Sequence, residues 1–285
     1  MLPSNTTVGP VSLVVPNLAR SLAFYENQLG FKLLTSEGGK ASLGTPDGAV
    51  LLELTEDPST VRPSRRAPGL FHFAVLFPSR VALGRTLVHF AETGGRLSGA
   101  GDHLVSEALY LDDPDGNGIE LYQDRPRKTW QFDNGKVLMD TLPVDVESLI
   151  VEAQKDPSPW TGIPNGTIIG HVHLKVNDIE QAGHFYTDVI GFDLMATMPQ
   201  ALFVSAGGYH HHVGLNTWMS EGTPPPPPGS SGLHGFNINL PSDEERDEVL
   251  GRLIAAGFDV DYSGENPFVR DPAQNGVWFK VVRTP

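Results

Sequence analysis

The chain has 285 residues, enough for one large domain or two ordinary ones with a substantial core. With 39% hydrophobic and 19% charged residues, its composition is that of a globular protein and excludes a disordered one. It contains no cysteine, which excludes disulfides, thiolate metal ligands and cysteine nucleophiles. The formal charge of −14 argues against a nucleic-acid partner, because phosphate binding needs a basic face.

The sequence also argues against a membrane partner. No apolar run approaches the length of a membrane span, and the N-terminal stretch MLPSNTTVGP lacks the basic-then-apolar pattern of a signal peptide. We therefore expect a cytoplasmic protein. Any metal must be held by histidine, aspartate, glutamate or backbone oxygens, and the chain has 10 histidines to offer.

The first half of the chain contains two units of similar order. In the first, an apolar strand at Val11–Val15 precedes a helix that carries Leu18, Leu22 and Phe24–Tyr25 on one face. Further strands are predicted at Lys32–Leu34, Lys40–Leu43 and Ala49–Leu54. The second unit has a strand at His72–Phe77, a helix at Arg80–Thr93, and strands at Arg96–Ser98, Ala108–Leu111 and Gly118–Gln123.

The second half repeats the first. GHVHLKVNDIEQAGHFYTDVIGFDL, from Gly170, parallels GPVSLVVPNLARSLAFYENQLGFKL, from Gly9, and DPAQNGVWFKVV parallels DPDGNGIELYQD. We expect an N-terminal pair of units in residues 1–124 (9–55 and 69–124), a connector with one helix in 125–165, and a C-terminal pair in 166–285 (169–220 and 232–283). The connector helix is predicted at Val144–Gln154. The fold class is α+β, with four βαβββ units.

Two phrases carry a family resemblance: HVHLKVNDIEQAGHFYTDVIGF and DPDGNGIELY. They resemble the vicinal oxygen chelate superfamily, which includes glyoxalase I, fosfomycin-resistance enzymes and extradiol dioxygenases. The match spans all four units. HLVSEALYLDDPDGNGIE and GGYHHHVGLNTW look most like the catechol 2,3-dioxygenase branch. The resemblance implies that units pair into half-closed barrels around a divalent metal, with ligands from the first and last strands.

The resemblance implies one ligand position on each first strand, occupied by Pro10, His72, His171 and Gly235 in the four units. On the last strands, the position seven residues after the turn aspartate is Glu120 in the second unit and Trp278 in the fourth.

Only one pairing of units completes a site. The first and second units supply His72 and Glu120, and the third and fourth supply only His171. The second and third together supply all three, which is a 2-His-1-carboxylate triad. We therefore expect the two central units to form the metal barrel. His234 is one residue out of register and would face the other way.

The alternative interpretations stay open at this stage. A strand histidine is more often satisfied by hydrogen bonds than bound to a metal, and Glu120 could be a solvated strand residue. His173 shares a strand face with His171 and is a further ligand or a group behind the ligands. His89 and His184 lie on predicted helices, where we expect surface or packing roles.

The resemblance implies an acid/base histidine on the last strand of the third unit, which contains His210, His211 and His212. The register favours His211, and alternation along a strand would turn His210 and His212 away from it. Tyr110, ten residues before Glu120, and His103, in the preceding loop, resemble two further active-site groups.

The predicted activity is ring cleavage of a catechol-type aromatic by O2, with a small aromatic diol and O2 as the binding partners. The resemblance implies attack next to the diol, ring expansion to a lactone and hydrolysis. Fe(II) is the expected metal, with Mn(II) or another divalent ion as the alternative. Phe71, Phe203 and Trp218 are candidates for the ring pocket or for plain core. The competing functions are a glyoxalase-like isomerase or thiol transferase and a non-catalytic aromatic-binding protein. The sequence leaves the oligomeric state, a homo-oligomer included, open.

Overall fold

The computed structural model describes residues 1–283, so residues 284–285 of the expected C-terminal half lie outside it. The first unit comprises β1 (Thr7–Val15), α1 (Leu18–Asn27), β2 (Lys32–Glu37), β3 (Lys40–Gly44) and β4 (Val50–Glu56). The second comprises β5 (Gly69–Leu76), α2 (Arg80–Glu92), β6 (Gly99–Asp102), β7 (Ser106–Asp112) and β8 (Gly118–Asp124). The connector holds a 3₁₀ turn at Arg127–Thr129, a hairpin of β9 (Phe132–Asp133) and β10 (Lys136–Val137), and α3 (Val146–Ala153).

The third unit comprises β11 (Ile168–Lys175), α4 (Ile179–His184), a π-helical turn at Phe185–Ile190, β12 (Asp193–Met198), β13 (Ala201–Ser205) and β14 (Val213–Asn216). The fourth comprises β15 (Gly232–Leu240), α5 (Asp243–Ala255), β16 (Phe268–Arg270) and β17 (Gly276–Val281). Its second strand is reduced to a single bridge between Asp261 and Phe268. The predicted α+β fold of repeated units is confirmed.

Each unit begins its helix with a side-chain cap. Asn17, Ser79, Asp178 and Ser242 stand before α1, α2, α4 and α5, and each accepts a hydrogen bond from a backbone N–H of the first turn. Such caps satisfy donors that have no partner within the helix. The repeated strand–cap–helix pattern therefore has the same local cause in all four units.

The strands form two sheets, and each sheet takes one unit from each half of the chain. The seven-stranded sheet has the order β16-β17-β15-β1-β4-β3-β2, which combines the first and fourth units. The eight-stranded sheet has the order β12-β13-β14-β11-β5-β8-β7-β6, which combines the second and third. The second and third units therefore share a sheet, which is the pairing predicted from the candidate ligand positions.

The register of the eight-stranded sheet aligns the candidate ligands. Strands β5 and β11 are antiparallel, with His72 opposite His173 and Ala74 opposite His171. Strand β8 runs parallel on the other side of β5, with Glu120 next to Ala74. The buried Ala74 therefore separates His171 from Glu120 with only a methyl group.

One predicted strand lies later in the chain than expected. The predicted strand at Arg96–Ser98 is not a strand, and β6 begins at Gly99, which pairs with Tyr110. Residues 94–98 carry the chain from the end of α2 to the edge of the sheet, so the extended segment starts later than the sequence pattern suggested.

A buried tyrosine–aspartate hydrogen bond joins the two sheets twice. Tyr25 donates to Asp113 over 2.9 Å, and Tyr186 donates to Asp271 over 3.2 Å. Both aspartates open a D-P-x-x-N-G turn, whose asparagine also donates to the carboxylate. Each tyrosine lies in the helical segment of one unit, and its aspartate lies in a turn of a unit whose strands belong to the other sheet. These bonds therefore hold the two sheets together as well as the turns.

We expect Tyr25→Phe and Tyr186→Phe each to lower the free energy of unfolding by about 1–3 kcal/mol, because a buried carboxylate loses a donor. Urea unfolding measures the change. Tyr262→Phe is the matched control, since Tyr262 is 58% exposed and makes no such bond. Variants at Tyr25 and Tyr186 that match this control would contradict the role assigned to the bond.

Candidate metal centre

Three buried side chains of the eight-stranded sheet converge on one point. The Nε2 atom of His72 lies 3.0 Å from Oε2 of Glu120, and Nε2 of His171 lies 3.2 Å from the same oxygen. The two Nε2 atoms are 3.3 Å apart. Strands β5, β11 and β8 each contribute one of these residues, so the sheet register brings together the three predicted ligands.

The size of this triangle suits a divalent cation. Ligand atoms about 2.1 Å from a metal lie about 3.0 Å apart at right angles and about 3.4 Å apart at tetrahedral angles. The observed edges of 3.0, 3.2 and 3.3 Å fall in this interval. Two imidazoles and a carboxylate on one face leave coordination positions open on the other, which is the facial triad of non-haem iron and related sites.

The protonation states also suit a cation. Burial alone would raise the pKa of Glu120, but His171 and His72 outweigh it and hold that pKa well below its usual value. Burial lowers the pKa of His171 to about 4, against the opposing effect of Glu120. At neutral pH Glu120 is therefore an ionised carboxylate and His171 a neutral imidazole, the forms that bind metal.

The other sheet has no equivalent triad. Gly235 lies opposite Ser12, as His72 lies opposite His173, and Trp278 stands at the position that corresponds to Glu120. A Cβ at Gly235 would lie 2.6 Å from the Trp278 ring. The indole thus fills the space where ligands would converge, and the His234 ring lies tilted beside it with ring centroids 5.1 Å apart.

A second group of imidazoles, His171, His210 and His211, also has potential ligand atoms within 4.8 Å of one another. Here both nitrogens of His210 already have partners: Nδ1 of His210 lies 2.8 Å from Nδ1 of His211, and Nε2 of His210 lies 3.1 Å from Asp124. This group also lacks a carboxylate to balance a dication. The set that contains Glu120 is therefore the better metal site.

The three consecutive histidines depart from the strand prediction. They precede β14, which begins at Val213, so alternation does not apply to them. His210 and His211 contact each other, whereas Nδ1 of His212 turns to Ser205 and the backbone of Ala206. The ring of His211 lies 4.0 Å from that of His171, between centroids, which places the predicted acid/base group beside a candidate ligand.

Tyr110 and His103 meet next to His72. The ring centroids of Tyr110 and His72 are 5.6 Å apart, and the Tyr110 hydroxyl lies 2.7 Å from Nε2 of His103. Burial and the nearby Glu120 charge raise the pKa of Tyr110 well above its usual value, so the phenol stays protonated. Nδ1 of His103 lies 3.0 Å from the Asp140 carbonyl, so the connector fixes this histidine as well.

Aromatic side chains border the cluster. The Phe71 ring contacts those of His173 and Trp218, with centroids 5.0 and 5.4 Å away, and Phe203 contacts His211 at 5.0 Å. His173 lies 3.0 Å from the amide nitrogen of Asn216 and belongs to neither group of potential ligands in the described residues. His173 therefore packs against the ring of His72, with ring centroids 5.0 Å apart.

The two helical histidines have packing and surface roles, as expected. His89 stacks on Trp160 with ring centroids 3.5 Å apart, and it contacts the carbonyl of Asn27. His184 pairs with Asp188 on the surface over 2.8 Å. Both lie on elements outside the eight-stranded sheet, so neither belongs to the cluster.

Three further residues near the cluster, Tyr122, Asp124 and Tyr209, were not predicted from the sequence. Asp124 accepts a hydrogen bond from the Tyr209 hydroxyl over 2.9 Å, and the Tyr122 and Tyr209 hydroxyls are 2.7 Å apart. The spacing of Glu120, Tyr122 and Asp124 could have indicated Tyr122 and Asp124. These residues occupy every second position of β8, so their side chains lie on one face of the strand.

A cavity of about 740 Å³ lies away from this cluster. It is lined by Gly69, Leu70 and Lys175, at the ends of β5 and β11 nearest each other, and none of the three ligand side chains borders it. The ligand cluster is a better candidate site than this cavity, because convergent polar groups identify a site better than volume does. Among residues 1–283, no helix is both long and apolar enough to cross a membrane.

Similarity to known proteins extends over all four units of the chain. Residues 7–121 and 168–279 match the family model described as the Glyoxalase/Bleomycin resistance protein/Dioxygenase superfamily. Over 283 residues the chain is 49% identical to the catechol-2,3-dioxygenase of Bacillus subtilis (strain 168), and the alignment covers 98% of each chain.

Solved structures share the fold at low identity. A Bacillus subtilis protein provisionally described as a dioxygenase matches with a TM-score of 0.64 at 12% identity, over 99% of this chain and 86% of that one. Glyoxalase I from Zea mays matches with a TM-score of 0.56 at 16% identity, over 96% of this chain and 92% of that one. The matched segments include all four units and both sheets, so the chain belongs to the glyoxalase/bleomycin resistance protein/dioxygenase superfamily.

Proposed function

We propose that this protein is a metal-dependent extradiol dioxygenase that cleaves a catechol-type ring. The observation that carries the proposal is the 49% identity to a catechol-2,3-dioxygenase over 98% of both chains. The convergence of His72, His171 and Glu120, with His211 and Tyr110 beside them, supports the same conclusion. The proposed substrates are a small aromatic diol and O2.

We propose His72, His171 and Glu120 as the metal ligands and Fe(II) as the metal, with Mn(II) as the alternative. Such an ion, when bound, supplies a chelation point for both diol oxygens, a position for O2 and a path for electrons between them. The carboxylate offsets part of the charge of the dication, and the open face of the triad admits the diol.

The remaining side chains act on the diol and its protons. His211, whose Nε2 has no hydrogen-bond partner within residues 1–283, accepts the proton of a substrate hydroxyl. Tyr110 stays protonated and donates its hydroxyl hydrogen to Nε2 of His103, so its oxygen accepts a hydrogen bond from a substrate hydroxyl. Phe71, Phe203 and Trp218 exclude water from around the aromatic ring.

Metal analysis tests the ligand assignment. We expect wild-type protein, purified without oxygen, to hold about one divalent ion per chain, and His72→Ala, His171→Ala and Glu120→Ala to lose it. His234→Ala is the matched control, because His234 lies near the corresponding place of the other sheet, and it should keep the metal. Full metal content in the His72 variant would contradict the assignment.

Oxygen uptake with catechol tests the reaction. We expect O2 consumption together with a yellow ring-fission product in the wild type. His211→Ala should lower kcat by about 10²- to 10⁴-fold through loss of the acid/base group. Tyr110→Phe should lower it by about 10-fold through loss of one hydrogen bond. Metal-loaded protein that leaves O2 unchanged across a panel of catechols would contradict the proposed function.

Acid should destabilise the metal-free protein in a defined pH range. The folded-state pKa of His171 is lowered to about 4 by burial, against a usual value of 6.5. As pH falls from 6.5 towards 4, the unfolded chain takes up a proton that the folded chain does not, so stability is lost. The loss reaches about 3 kcal/mol at 1.36 kcal/mol per pKa unit.

Urea unfolding in the presence of a chelator, measured at pH 7 and pH 4.5, checks this prediction. His171→Gln should show a smaller loss of stability than the wild type over the same range, since glutamine does not titrate. Equal losses in the two proteins would show that His171 does not contribute to the acid sensitivity.

A further inference from the structure

Beside the ligands, a carboxylate and two imidazoles form a hydrogen-bonded chain. Oδ1 of Asp124 lies 3.1 Å from Nε2 of His210, and Nδ1 of His210 lies 2.8 Å from Nδ1 of His211. His210 is 1% exposed and His211 is 8% exposed, whereas the Asp124 side chain is 22% exposed at the outer end. The rings of Trp130 and Tyr209 pack against His210, with centroids 5.4 and 4.2 Å away.

This chain of contacts assigns the tautomers of both imidazoles. Asp124 accepts from Tyr209 with its other oxygen, so both of its oxygens act as acceptors and His210 must carry its hydrogen on Nε2. A neutral imidazole has one N–H, so Nδ1 of His210 is bare and accepts from Nδ1–H of His211. Nε2 of His211 is then the unprotonated nitrogen.

We propose that Asp124 and His210 are positioning residues that hold His211 in the tautomer whose Nε2 accepts a proton from the substrate. This inference rests on the proposed function. The proton leaves a catechol hydroxyl and binds Nε2 of His211, which becomes an imidazolium, and no electrons are exchanged in this step. The new positive charge is shared through Nδ1–H with His210, and the Asp124 carboxylate behind it offsets that charge.

The strand that supplies a ligand also anchors this chain. Glu120 and Asp124 lie on the same face of β8, four residues apart, because side chains alternate along a strand. The orientation of His211 is thereby tied to the same strand as the candidate metal ligand. A merely structural role for His210 would not require a carboxylate at one nitrogen and an imidazole at the other.

Kinetics of three variants test the proposal. His210→Asn keeps an acceptor close to the original Nδ1 position, whereas His210→Leu removes it. We expect His210→Leu to lower kcat about 10- to 100-fold, as loss of oriented acid/base catalysis does. Its KM for catechol and its metal content should stay within about two-fold of the wild type, and His210→Asn should recover most of the lost kcat.

His212→Asn is the matched control, because His212 adjoins the pair in sequence and is buried, but its Nδ1 contacts Ser205 and the backbone of Ala206 and takes no part in the chain. We expect its kcat to stay within about two-fold of the wild type. Equal losses in the leucine and asparagine variants of His210, or a leucine variant as active as the wild type, would overturn the proposal.

A second measurement does not depend on turnover. Long-range ¹⁵N–¹H spectra of metal-free protein with labelled histidine report which ring nitrogen carries hydrogen. We expect Nε2–H for His210 and Nδ1–H for His211, and Asp124→Leu should abolish this preference. Nε2–H on His211 in the wild type would overturn the tautomer assignment. If the wild type leaves catechols intact but shows the expected tautomers, the proposed function fails while the assignment of the hydrogen-bonded chain stands.

Discussion

The antiparallel pairing of β5 with β11 is the constraint on which the site depends. It joins a unit from the first half of the chain to one from the second, and its register places Ala74 opposite His171 and beside Glu120. A slip of one residue would turn one imidazole to the other face of the sheet. The small side chain of Ala74 then leaves the centre of the cluster open, so strand register and residue size together create the triangle of ligand atoms.

Burial of the three candidate ligands costs free energy of folding, and a bound cation would offset part of this cost. Glu120, His72 and His171 are all less than 7% exposed, so the carboxylate and both imidazoles are removed from water. Buried polar groups destabilise a fold unless they find partners. A divalent ion at the centre of the triangle would give each ligand atom a partner and balance the carboxylate charge.

The duplicated scaffold separates structural residues from those of the site. Both halves of the chain contain the tyrosine–aspartate bond, as Tyr25–Asp113 and as Tyr186–Asp271, and so both use it to hold the two sheets together. Within residues 1–283, the three candidate ligands all lie in the eight-stranded sheet. In the other sheet, the Trp278 indole packs against Gly235 and fills the equivalent space with apolar contacts, which contribute to stability instead.

Local patterns in the sequence were sufficient to predict the repeated units and their helices, because caps, strand alternation and turn motifs act over a few residues. The candidate ligand positions came from the family resemblance. The sequence also favoured pairing of the two central units, since that combination alone supplied His72, His171 and Glu120. The course of the chain at His210–His212 depended on tertiary structure, because these residues lie before β14 and their partners, Asp124 and Ser205, come from other strands. Hydrogen bonds between distant strands decide which nitrogen of each imidazole is free, and no short-range pattern contains that information.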